Sequence, residues 1–214
     1  MSRLTIIILV SAGIFHMPAA SAKNVILFLG DGMGISTVTA ARIFAGQQQG
    51  LSGEEYDLTF DKFNNVALIK TYNTDAQVPD SAGTITAIVS GQKTRMGVLN
   101  VTAEVARDDC AASLTNQVPS ILELAEEAGL SSGIVSTTRI THATPAGAYA
   151  HVPNRDWENS STMTDEQRAL GCTDIASQLV EFPHGDGIDV ILGGGRAQFL
   201  PNDLADVENP TKTG

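Results

Sequence analysis

The chain has 214 residues, 43% hydrophobic and 17% charged, which excludes a disordered polymer and allows one domain with a buried core. Thirteen Lys and Arg face 24 Asp and Glu, and a net charge of −11 argues against the basic face that a nucleic-acid partner requires. An anionic substrate would need local positive charge, from arginine or a metal ion, to overcome that field.

The first 22 residues have the anatomy of a signal peptide: Arg3, an apolar run from Leu4 to Met17, and a small-residue cleavage site at Ala20-Ser21-Ala22. The run is short for a membrane span, so the mature chain is expected to be secreted or periplasmic, without a span after cleavage. Residues 23–214 then read as strands alternating with helices. "NVILFLG" predicts a strand from Val25 to Leu29, buried on both faces and closed by Gly30. "STVTAARIFAG" predicts a helix ending at Gly46, and "VALIKTYN", Val66 to Asn73, a second strand. Ser81 to Ser90 reads as a helix stopped by Gly91. "VPSILELAEEAG" is the clearest helix, with Ile121, Leu122, Leu124, Ala125 and Ala128 as its apolar face and Gly129 as its stop. A strand ("GIVSTTRI"), a helix ("DIASQLVEF") and a strand ("IDVILGGG") follow.

This order predicts an α/β layered sandwich: a mostly parallel central sheet with helices on both faces. Ligands gather beyond the carboxyl ends of such strands, which draws attention to the loops after Leu29, Asn73 and Ile140. The tail "RAQFLPNDLADVENPTKTG" has no helix-length apolar pattern to cover the last strand. The expectation is therefore an N-terminal portion of a longer domain. Cys110 and Cys172 form an even pair in an exported chain, and a disulfide is the leading expectation. Asn100 in "NVT" and Asn159 in "NSS" match glycosylation sequons.

Three segments carry candidate chemistry. In "FLGDGMG" the glycines miss the dinucleotide spacing, because Ile35 stands where a third glycine is needed. Asp31, between two glycines at a predicted strand end, suits a cation better, or is an ordinary turn residue. In "VPDSAGTITA", Pro79 excludes the G-x-S-x-G elbow. Asp80 or Ser81 would serve as helix N-cap, and Ser81 would also stand where a helix start attracts a phosphoryl group. A serine hydroxyl needs activation, which a metal held partly by Asp31 would supply. In "TTRITHATPAGAYAHVPNR", His142 and Thr144 are spaced to converge on an ion or its water shell, and Pro145 discourages helix there. Arg155 is the candidate anion clamp and Arg139 its competitor, nearer a strand end and suited to an ion pair. His151 reads either as a ligand or as a core or surface residue.

With Asp31, Ser81, His142, Thr144 and Arg155 in this order, the sequence resembles the alkaline phosphatase family. "VPDSAGTITA" is similar to its phosphoserine segment and "NVILFLGDGMG" to its first metal-binding turn. "STTRITHATPAGAYAHVPNRDW" resembles its segment with a magnesium-site residue and the phosphate-binding arginine, and "DVILGGGR" is typical of it.

The resemblance implies that Ser81 attacks phosphorus and forms a phosphoserine, that Arg155 holds phosphate oxygens, and that Asp80 orients Arg155. It implies Asp31 bridging one zinc and the magnesium, Ser81 on the zinc, Thr144 on the magnesium and His142 near that ion and its waters. The intact enzyme would use two Zn2+ and one Mg2+, act on small phosphomonoesters and form a homodimer. The resemblance strengthens the expected Cys110–Cys172 bridge. The family's remaining metal ligands lie beyond this segment, and His184 and Asp189 stand in the wrong context to replace them. The 214 residues alone are thus expected to be inactive and poorly folded. A sulfatase or phosphodiesterase of the same superfamily is a second reading, and Ser81 lacks the following x-Pro-x-Arg that a sulfatase needs. A non-catalytic phosphate- or metal-binding remnant is a third.

Overall fold

The computed structural model describes residues 24–201 and 203–207, so the expected signal peptide, residues 1–22, lies outside the described residues. The chain divides into two units, Met1–Gly30 and Asp31–Gly214. In the first, residues 24–30 form no regular element, and Val25, Ile26, Leu27 and Phe28 are exposed. The buried strand expected from Val25 to Leu29 is therefore absent. An apolar run becomes a buried strand only where neighbours satisfy its backbone and layers cover both faces. No strand pairs with it among the described residues.

The second unit has α/β character. It opens with α1 (Ile35–Gln47), which runs one residue past the expected stop at Gly46. Gly46 is buried instead at a close approach, where an added Cβ would come within 2.7 Å of the Gly53 Cα. The strand expected from Val66 to Asn73 does not form either. Val66, Leu68 and Ile69 are exposed, and only Asn73 makes a bridge, antiparallel to Ala76.

α2 (Ser81–Ser90) has the expected bounds, with Gly91 in the left-handed region closing it. A short α3 (Cys110–Ser113) follows, capped by Asp109. α4 (Ile121–Glu127) begins with a capping box in which Ser120 and Glu123 exchange hydrogen bonds. Its burial differs from the expected apolar face: Ile121 and Leu124 are exposed, while Glu123 and Glu126 are each 2% exposed. At Glu123 the reversal has a structural cause. Glu123 is turned inward by its capping bond and by His151, whose Nε2 lies 2.5 Å from Glu123 Oε1.

β1 (Gly133–Arg139) and β2 (Val190–Gly194) pair in parallel, Gly133 with Val190 and Val135 with Leu192, with an irregularity before Arg139 meets Gly194. The parallel pairing agrees with the expected class, but the sheet among the described residues has two strands where four were expected. Only Ile134 of β1 is buried, and β2 is exposed along its length rather than covered on both faces. Between the strands lie α5 (Ala143–Ala146), α6 (Asp165–Ala169) and α7 (Ile175–Val180).

The core lies mainly beside the sheet, which contributes Ile134 of β1 to it. Ala82 and Ile85 of α2, Leu99, Tyr149, Val152, Trp157 and Ile175 form one cluster. Burying side chains of this size contributes about 1.5–3 kcal/mol each. Cys110 and Cys172, both in this cluster, are joined by a disulfide with Cα atoms 6.0 Å apart, inside the reach of such a bridge. The pair ties α3 to the segment before α7.

Candidate active site

The site begins at the N-terminus of α2. Asp80 is the N-cap, and its Oδ1 accepts from the Gly83 N–H at 3.1 Å. The choice between Asp80 and Ser81 as cap is thus resolved in favour of Asp80, which leaves the Ser81 hydroxyl out of the capping bond. Ser81 is the first residue of α2, half-buried, at the end where unpaired N–H groups and the helix dipole favour an anion.

Asp80 accepts four hydrogen bonds. Oδ1 takes Gly83 N–H and the Asn73 amide (Nδ2, 2.9 Å), and Oδ2 takes Gly97 N–H at 3.0 Å and Arg155 Nη1 at 3.1 Å. Burial pushes the Asp80 carboxyl up. The bonds from Gly83, Arg155 and Asn73, together with the Arg155 charge, outweigh it and hold the carboxyl below its ordinary range.

Arg155 reaches Asp80 because two backbone segments are stitched together. Leu99 and Val152 exchange both N–H···O bonds, at 2.9 and 3.1 Å, and Arg155 N–H donates to Gly97 O at 2.8 Å. Gly97 sits at φ +83°, where glycine carries no steric cost, so its carbonyl serves Arg155 while its N–H serves Asp80. The Arg155 and Asp80 side chains are 20% and 16% exposed, so the pair is shielded yet open to a ligand.

The other guanidinium nitrogen, Nη2, lies 3.3 Å from His142 Nε2. Burial lowers the His142 pKa, and the nearby Arg155 and Arg139 charges lower it further, against smaller opposing effects of Glu158 and Asp31. The imidazole is therefore neutral at physiological pH. In the tautomer that accepts from Arg155, the proton is on Nδ1, which is buried without a hydrogen-bond partner among the described residues. His142 is also the N-cap residue of α5. That helix corrects the expectation of a non-helical loop around Pro145: proline is tolerated in a first turn, where the missing N–H would have no partner anyway. Two residues after His142, Thr144 Oγ1 donates to Asp31 Oδ2 at 2.7 Å, across 113 positions of sequence.

Two groups of expected residues thus come together. Asp80, Arg155 and His142 form one hydrogen-bonded chain, with Ser81 attached through its neighbour Asp80. Asp31 and Thr144 form the other, and the effect of the Asp31 charge on His142 links the two. Other candidates go elsewhere. Arg139 is gripped by Glu158 through two bonds of 2.8 and 2.6 Å, so it is an ion-pair residue. Burial pushes the Glu158 carboxyl up, but Arg139 and a bond from Thr141 bring it below its ordinary range.

His151 is half-buried and held by interior partners. Its Nδ1 contacts the Asn100 carbonyl at 3.0 Å and its Nε2 contacts Glu123. His184 pairs with Glu127 at 2.7 Å, and Asp189 accepts from Ser132 N–H at 2.8 Å. A cavity of about 250 Å³ beside His151, His184 and Cys172 contains none of the six site residues. The sequence reading missed Asn73 and Gly97. The only signal for Asn73 was its place in the Asn-Thr-Asp turn of "YNTDAQ".

The family model for alkaline phosphatase matches residues 22–214. The chain belongs to the alkaline phosphatase family. It is 54% identical over 195 residues to the tissue-nonspecific isozyme of Gallus gallus, covering 91% of this chain and 37% of that protein. It is 54% identical over 187 residues to the human tissue-nonspecific isozyme, covering 87% and 35%. Among solved structures, a mutant of TAB5 alkaline phosphatase described with Mg bound in its M3 site aligns at a TM-score of 0.59 and 29% identity, over 79% of this chain and 38% of that one. The chain spans a little over a third of the length of these relatives.

Proposed function

We propose that this chain supplies the nucleophile, the phosphate clamp and part of the metal-binding surface of a phosphomonoester hydrolase that works through a phosphoserine. The observation that carries the reading is the Asp80 carboxylate, which caps α2 beneath Ser81 and holds Arg155 with its second oxygen. A phosphoryl group at the start of α2 would meet free N–H groups, the Ser81 hydroxyl and a guanidinium fixed in orientation. Ser81 Oγ attacks phosphorus and the alcohol leaves. Water then cleaves the phosphoserine and releases inorganic phosphate. Arg155 neutralises charge on the equatorial oxygens, and Asp80 keeps it from turning away. The neutral His142 accepts from Arg155 without adding a charge that would compete for the anion.

Family membership implies metal ions, and the residues present fit part of such a set. Asp31 and Thr144 offer adjacent oxygen donors, the kind that magnesium takes, and the buried Nδ1 of His142 has no hydrogen-bond partner among the described residues. Asp31, Thr144 and the Ser81 hydroxyl would be ligands, and His142 would donate from Nδ1 to the surrounding hydration. No group of three or more His, Cys, Asp or Glu among the described residues is arranged to hold a metal, so two Zn2+ and one Mg2+ would draw on further residues. When bound, such cations lower the serine hydroxyl's pKa and offset phosphate charge. Secretion and a homodimer belong to the same reading. The first rests on the residue 1–22 pattern and the disulfide, the second on the resemblance alone. No helix among the described residues is long and apolar enough to cross a membrane.

The test is Ser81→Ala in the full-length protein. Turnover of p-nitrophenyl phosphate is expected to vanish while inorganic phosphate still binds. Near-normal turnover would refute the nucleophile. The 214 residues alone are expected to be inactive, and turnover by them would overturn that expectation.

A further inference from the structure

We infer that Asn73 is a positioning residue for the phosphate clamp, acting through Asp80 on Arg155. The inference rests on the reading of Arg155 as the phosphate-binding group.

Asn73 is 3% exposed, at the end of a segment whose preceding residues, Val66 to Tyr72, are exposed. Its backbone is anchored independently of its side chain: Asn73 N–H donates to Ala76 O at 3.0 Å, and the next residue, Thr74, donates to Thr94 O at 3.0 Å. The side-chain amide is thereby aimed at the first turn of α2, where Nδ2 donates to Asp80 Oδ1. That turn is shaped to receive it. A Cβ on Gly83 would lie 2.6 Å from Asn73 Oδ1 and 2.8 Å from its Cγ, so only glycine at position 83 leaves room for the amide.

The two oxygens of Asp80 have different duties. Oδ2 faces Arg155 and Gly97, and Oδ1 faces Asn73 and Gly83. A carboxylate gripped on one oxygen alone can swing about its Cβ–Cγ bond. Gripped on both, it presents Oδ2 to the guanidinium in one orientation. The Gly83 bond fixes Asp80 to its own helix, whereas the Asn73 bond ties it to a separate segment. Asn73 touches neither Arg155 nor Ser81 through any described bond, so its effect on phosphate has to pass through Asp80.

The experiment measures inorganic phosphate affinity in the full-length protein, by calorimetry or as a competitive inhibition constant, for Asn73→Ala, Asn73→Asp, Arg155→Ala and the Asn73→Ala/Arg155→Ala pair. Losing one bond to a charged acceptor is expected to weaken phosphate binding on the order of tenfold in Asn73→Ala. Asn73→Asp, though nearly isosteric, is expected to be weaker still near neutral pH, because it puts a second carboxylate against Asp80 Oδ1 and removes the donor. Its defect is expected to ease at lower pH, as the new carboxyl takes up a proton and regains a donor. In the Arg155→Ala background, Asn73→Ala is expected to change phosphate affinity little further.

A packing role predicts the opposite order, with the aspartate variant milder than alanine and the loss appearing in the melting temperature rather than in affinity. That order would overturn the proposal. So would an equal further loss from Asn73→Ala in the Arg155→Ala background. The cycle uses alanine variants only and decides the matter even where the aspartate variant does not fold. Unchanged phosphate affinity in Arg155→Ala itself would instead overturn the clamp reading beneath the proposal, and the proposal with it.

Discussion

Replacing Asp80 with alanine removes the group on which the site and the start of α2 both depend. Four donors lose their acceptor at once: Asn73 Nδ2, Gly83 N–H, Gly97 N–H and Arg155 Nη1. Loss of the cap alone costs about 1 kcal/mol. Hydrogen bonds to an ionised acceptor are worth roughly 1.5–3 kcal/mol each, but they do not add, and water can re-solvate part of a site that is 16% exposed. Leaving Arg155 without its counter-charge brings the total to about 3–5 kcal/mol. Thermal and chemical unfolding of the full-length protein, with and without the substitution, measure it.

Asp80→Asn adds a pH arm. The folded carboxyl is held below its ordinary range, so its stabilisation is present above the unfolded pKa near 3.9 and is lost as pH falls through the folded value. The asparagine variant is expected to be less stable at neutral pH and to lose less on acidification. A loss within about 0.5 kcal/mol for Asp80→Ala, typical of an unremarkable surface site, would refute the reasoning.

Two further outcomes follow from the core. Breaking the Cys110–Cys172 bridge, which spans a sequence separation of 62, is expected to cost about 4 kcal/mol by the loop-entropy relation, read from unfolding of the double-serine variant. A variant as stable as the parent would contradict a closed bridge in the native protein. At His151, burial lowers the pKa, but the Glu123 bond and charge, with the Asn100 carbonyl, outweigh it and raise the folded value. Its stabilisation is thus full below the unfolded value near 6.5 and is lost as pH rises through the folded one. The melting temperature is expected to carry a falling component above about pH 6.5 that His151→Gln lacks, and parallel profiles would refute the pairing.

Much of this was legible from local chemistry. The bounds of α2 follow from Asp80, Ser81 and Gly91, and the start of α4 from the Ser120–Glu123 box, because caps and stops depend on nearest neighbours. The strands at 133–139 and 190–194 appear because they find each other. The runs at 25–29 and 66–73 are more apolar than the strand at 133–139 yet find no partner strand among the described residues, and strand formation is a property of the pair. α4 shows a second limit. Its apolar pattern favoured a buried Ile121 and Leu124, yet His151, distant in sequence, draws Glu123 inward.

At the site, residue types left Asp31, Ser81 and Thr144 between a turn, cap or loop role and a chemical one, and it was the family resemblance that singled them out together with Arg155. The Asp31–Thr144 bond, the Gly97 bonds to Asp80 and Arg155, and the Asn73 amide are tertiary facts that a single sequence does not encode at short range. This chain spans a little over a third of the relatives it matches, which makes direct evidence on Ser81 the most informative step.

That evidence is an acid quench of the full-length protein during turnover or incubation with phosphate, followed by peptide mass spectrometry. Phosphate is expected covalently on the peptide containing Ser81, and absent from it in Ser81→Ala. Phosphate on another residue, or unimpaired turnover with Ser81 unmodified, would contradict the account.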